Sequence, residues 1–128
     1  MEVDTDGPRP SRHISIWVEA APEVVYAFAS DQRELNRWAA GLADPALSDA
    51  DVQFTPVNTL GVLDHQVTLP SGESVYNPMR VIPSGSDEQR CEVVFTLRRR
   101  PGVTDEEFEA DAAAVEADLR TLRDLIEG

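Results

Sequence analysis

From Phe108 to Ile126 the apolar positions recur at alternating steps of four and three, through Ala112, Val115, Leu119 and Leu122. That spacing lays one apolar stripe along a helix and predicts an amphipathic helix over residues 104–127. Thr104-Asp105-Glu106-Glu107 opens it as a capping box, the Thr hydroxyl accepting from the Glu107 amide while the Glu carboxylate reaches back. Earlier in the chain the period is two. Over His13–Ala20, Ile14, Ile16, Val18 and Ala20 alternate with His13, Ser15, Trp17 and Glu19, the pattern of a half-buried strand.

Pro22 then suits the first turn of a helix, with Val24, Val25 and Phe28 facing one way. Asp31 and Glu34 mark a second helix start, Leu35, Trp38 and Leu42 follow at helical spacing, and Gly41 suits its stop. The polar, acidic stretch Asp44–Asp51 predicts a loop. Strands are expected at about residues 52–57, 61–69, 74–83 and 89–99, separated by Leu69-Pro70-Ser71-Gly72 and by Pro83-Ser84-Gly85-Ser86-Asp87. Gly61 is expected to mark a bulge or bend. Short turns imply antiparallel pairing, because parallel strands need long crossovers. The predicted architecture is α+β: a curved antiparallel sheet of about five strands wrapped around the long C-terminal helix, with two short helices after the first strand. It is a container whose contents, if any, the pattern does not name.

Composition narrows the partners. The chain of 128 residues fits one domain, 12–128, behind an N-terminal stretch, 1–11, that is expected to be a disordered tail. A formal charge of −13 argues against nucleic acid and anionic membrane as partners, since both would be repelled. One cysteine, Cys91, excludes an internal disulfide, and with no signal-like or membrane-spanning apolar run a reducing, cytoplasmic setting is the expectation. Trp17, on the polar side of the first strand, would mark a homodimer surface if exposed.

Together these features resemble the START and birch-pollen-allergen superfamily, also called SRPBCC or polyketide cyclase/dehydrase-like. The resemblance runs from His13 to Glu127. It is carried by Val18-Glu19-Ala20-Ala21-Pro22-Glu23-Val24-Val25-Tyr26, by Arg37-Trp38, and by the acidic-capped terminal helix. Gly61-Val62-Leu63-Asp64-His65 and Asn77-Pro78-Met79-Arg80-Val81 are similar to its uncharacterised bacterial branch. The resemblance implies a helix-grip fold, here with fewer strands than the full plan. It also implies a role among lipid and hormone carriers, aromatase/cyclases, co-chaperones or ring-hydroxylating subunits, so fold alone does not fix function.

His65 and Asn77 are the leading candidates for chemistry. Strand parity places Leu63, His65, Val67 and Leu69 on one face, and Val75, Asn77, Met79 and Val81 on one face of the next strand. His65 there is either a core histidine bonded to a backbone carbonyl, the plainer reading, or a group that orients a ligand or moves a proton. Asn77 either completes a polar spot beside it or caps a strand irregularity before Pro78. The expected ligand wall comprises Trp38, Leu63, His65, Asn77, Met79 and Phe95, with Phe108, Ala112 and Val115 from the helix. Asp111 and Asp118, seven apart, lie two turns from each other, about 10 Å along the axis. They read as a solvated or arginine-paired rim with Arg80 as a partner, not as a catalytic dyad. Arg98-Arg99-Arg100 is matched by the nearby Asp105, Glu106 and Glu107, so local charge compensation explains it more simply than an anion site. No nucleophile elbow, phosphate loop or metal spacing is present, so neither cofactor nor metal is expected.

Three functions follow: a carrier of a small apolar, aromatic or lipid-like ligand; a cyclase/dehydrase-like enzyme, with His65 transferring a proton and Asn77 steadying an enolate; or a filled, non-binding module.

Overall fold

Eight alternating residues, Ser11–Val18, form β1, beginning two positions before the periodicity indicates. The computed structural model describes residues 10–39 and 51–128; most of the expected tail, the stop at Gly41 and nearly all of the Asp44–Asp51 loop lie outside them. The helix α1 (Pro22–Ala29) starts on its proline, and a single 3-10 turn, Gln32–Glu34, leads into the short α2 (Leu35–Trp38). Asp31 caps that turn by accepting from the Arg33 amide, while Glu34 pairs with Arg37 instead of completing a capping box. The strands β2 (Asp51–Phe54), β3 (His65–Thr68), β4 (Ser74–Asn77), β5 (Met79–Pro83) and β6 (Cys91–Arg98) follow, then α3 (Asp105–Glu127). At the start of α3 both bonds of the Thr104–Glu107 capping box are made.

The strands form two antiparallel sheets of three, ordered β1-β6-β5 and β2-β3-β4. The expected strand over 74–83 divides at Pro78, whose ring nitrogen has no hydrogen to give a ladder. The opposite side of this hairpin changes sheet at the same level. Leu63 N donates to Met79 O (2.8 Å) and Val81 N to Gly61 O (2.9 Å), so residues 61–63 pair with β5, whereas β3 pairs with β4. The curved sheet therefore turns its corner along one hairpin. Gly61 makes the approach there: its φ is +73°, and an added Cβ would stand 2.3 Å from the Val81 carbonyl oxygen.

Helix α3 lies along β1 and the concave side of the first sheet. Its Leu119 and Leu122 are sealed in a core with Val18, Val25, Val93 and Met79. Among the described residues no helix is long and apolar enough to cross a membrane.

Candidate functional site

Between α2, α3 and the concave faces of both sheets lies a cavity of about 270 Å³, with walls drawn mainly from Leu35, Val52, Val67, Val75, Leu97 and Leu119. Five of the nine expected wall residues line it: Trp38, His65, Asn77, Phe95 and Val115. The other four do not. Leu63, Met79, Phe108 and Ala112 are buried in the packing around it. Arg100, Asp111 and Asp118, all partly buried, complete the lining.

His65 and Asn77 face each other in the β3–β4 register. The imidazole is 8% exposed, edge-on to Phe54 (5.1 Å between centroids) and tilted against Phe95 (5.9 Å). Its Nδ1 lies 2.9 Å from the Leu63 carbonyl oxygen and its Nε2 lies 3.4 Å from Asn77 Nδ2. Burial pushes the His65 pKa below the ordinary histidine value, outweighing the Leu63 carbonyl and the charge of Asp64. The ring is therefore neutral near pH 7. Trp38 closes another side, and its indole Nε1 is sealed without an acceptor among the described residues.

Strand parity puts Asp64 on the polar side, yet it is only 5% exposed. Arg80 donates to it twice, Nε to Oδ1 and Nη2 to Oδ2, both at 2.9 Å. The Tyr76 hydroxyl donates to Oδ2 (2.6 Å) and the Met79 amide to Oδ1 (2.9 Å). Arg80, against the cost of burial and with help from Tyr76 and Met79, holds this carboxyl well below the usual carboxylate range. Arg80 thus belongs to Asp64 and is not the partner of Asp111 or Asp118. The cluster sits at the sheet corner, where Thr55 also binds the Asp64 carbonyl through its amide and hydroxyl. It fixes the strand next to His65; it is an anchor and touches no cavity. The signal for it in the sequence was the pairing of Asp64 with Arg80 across a hairpin, which parity alone does not reveal.

The remaining features resolve locally. Arg99 pairs with Asp105, as expected, and Arg100 with Glu73 at 3.4 Å, so two of the three arginines of the basic run meet carboxylates within the fold. Trp17 is 49% exposed on the outer face of the first sheet, in one row with Glu92 and the exposed Ile82. A larger concavity of about 710 Å³ lies between α1, the 58–61 loop and the 85–88 turn. Like the smaller one it is open to solvent; it is lined partly by Glu23, Asp87 and Glu88, with no buried titratable group converging on it. The smaller cavity is lined mostly by apolar side chains, with His65 and Asn77 on one side and Arg100, Asp111 and Asp118 on another.

No family model matches the sequence, and no curated protein matches it. Solved structures do. A START superfamily protein from Mycobacterium smegmatis superposes with a TM-score of 0.58 at 9% identity, covering 91% of this chain and 97% of that one. A conserved protein of unknown function from Enterococcus faecalis gives 0.56 at 12% identity, over 91% of this chain and 70% of that one. The protein XoxI from Bacillus cereus gives 0.53 at 13% identity, over 91% and 94%. At such identities the likeness is one of fold: the chain has a START-like fold, a curved antiparallel sheet packed on a long C-terminal helix.

Proposed function

We propose that this protein binds a small, largely apolar molecule, aromatic or lipid-like, between α3 and the sheets. The observation that carries the reading is one buried, neutral histidine beside an asparagine on the apolar sheet wall, across from a charged edge of Arg100, Asp111 and Asp118. Burial of the ligand's apolar surface would supply most of the affinity, at about 25 cal/mol per Å², and His65 and Asn77 would orient its polar end. The charge of −13 favours an uncharged or cationic ligand over nucleic acid or an anionic membrane.

An enzymatic reading has His65 transferring a proton. Its lowered pKa makes it a weaker base than a free imidazole, which favours holding a ligand over abstracting a proton from one. Native mass spectrometry of freshly purified protein, beside the same sample denatured, is the test. The expected result is extra mass lost on denaturation, or acquired on incubation with aromatic and lipid compounds. A bare mass that persists through that library would overturn the reading in favour of a filled module.

A further inference from the structure

The polar spot in the cavity also specifies which polar group a ligand should carry, an inference that rests on the binding reading above. A carbonyl oxygen only accepts, so the His65 Nδ1 that meets Leu63 O at 2.9 Å carries the ring proton. Nε2 is then a lone pair. Phe54 and Phe95 flank the imidazole and hold that orientation. The neighbour of Nε2 among the described residues is the Asn77 amide nitrogen at 3.4 Å, beyond the usual range of about 2.7–3.2 Å for a good N–H bond. Nε2 is thus a weakly satisfied acceptor between two phenyl rings, with an N–H group beside it that has a second hydrogen to give.

A hydroxyl matches both groups at once, donating to Nε2 and accepting from Asn77. A carbonyl or ether oxygen accepts only and leaves Nε2 unmatched. A carboxylate would meet the lone pair of a neutral imidazole in a lining where Asp111 and Asp118 outnumber Arg100, and an ammonium could donate to Nε2 but has no lone pair to accept from Asn77. Size sets the rest. A closed apolar cavity of about 150 Å³ takes benzene, so this open cleft of about 270 Å³ has room for one ring or two fused rings.

We infer that the cavity selects a neutral hydroxyaryl compound of one or two rings, its O–H donated to His65 Nε2 and its oxygen accepting from Asn77 Nδ2. The test is titration of the full chain with naphthol, methoxynaphthalene and naphthoate under one set of conditions, followed by calorimetry or ligand fluorescence. Naphthol is expected to bind about tenfold more tightly than its methyl ether, the worth of one good neutral hydrogen bond, and naphthoate more weakly than naphthol. In His65→Phe the naphthol advantage over the ether should vanish while the ether still binds. Equal affinity of naphthol and ether for the unaltered chain, or a preference for naphthoate, overturns the hydroxyl assignment and leaves the cavity reading standing. Failure of all three to bind overturns the cavity reading itself. The comparison on the unaltered chain decides the matter even if His65→Phe does not fold.

Discussion

Asp64 and His65 are neighbours in the chain, both buried, and the fold treats them in opposite ways. Asp64 keeps its charge because Arg80, Tyr76 and the Met79 amide replace its water. His65 gives its charge up because burial outweighs both the Leu63 carbonyl and the charge of Asp64, which is already taken up by Arg80. Asp64→Asn is expected to cost about 1–3 kcal/mol, the scale of a broken buried charge-assisted network with one half-exposed partner, measured by urea unfolding; a change within error would show that the anchor is dispensable. The pH dependence follows with the same sign for both groups. Asp64 is depressed in the folded state, so its contribution is whole above the unfolded carboxylate value, about 3.9, and is lost as the pH falls through lower values. His65 is also depressed, so its share is complete above about pH 6.5 and declines below it, where the unfolded chain takes up a proton that the folded one refuses. His65→Phe should flatten the stability profile just below about pH 6.5, and an unchanged slope there would contradict a neutral buried imidazole.

At the level of elements, periodicity made some parts legible and geometry hid others. The terminal helix, its cap and the alternation of β1 stand plainly in the sequence, because each depends on residues close together in the chain. The face shared by His65 and Asn77 is legible too, since parity holds within β3 and β4. Parity fails across the corner. Leu63 and Met79 have the right parity, but they belong to the stretch that pairs within the other half of the hairpin and so pack into the core. Phe108 and Ala112 lie on the buried stripe of α3, but the cavity meets the helix at the edge of that stripe, at Asp111, Ala114, Val115 and Asp118, and Arg12 lies over the Phe108 ring. The burial of Asp64, on the strand face opposite His65, is not legible in the sequence because it depends on Tyr76 and Arg80, which only register brings to it. The corner itself is testable. Gly61→Ala places a side chain at φ +73° against the Val81 carbonyl, and should cost at least about 2 kcal/mol through left-handed strain and lost pairing. Denaturant unfolding that showed a neutral effect would mean the corner flexes freely.

For the molecule as a whole, Cys91 offers a reporter. It is fully buried in β6, the central strand of the first sheet, and burial pushes its thiol pKa up to about 11. Alkylation of the native protein should therefore be slow and should accelerate in parallel with global unfolding as denaturant is added; rapid labelling without denaturant would show that β6 opens locally. The central place of β6 has a further consequence, for the order of assembly. Val18 lies opposite Cys91 and Ser11 opposite Arg98, so the first strand finds its partner only after most of the described chain has been made. Helix α3, which covers β1, comes later still, and its Glu127 closes on the Glu19 amide at 2.8 Å. Contacts this distant along the chain make for slow, topology-limited folding. The nascent protein must therefore hold β1 unpaired, with Trp17 on one side and Ile14 and Ile16 on the other, until its latest elements arrive. That interval, rather than the finished fold, is where such a chain is most exposed to aggregation.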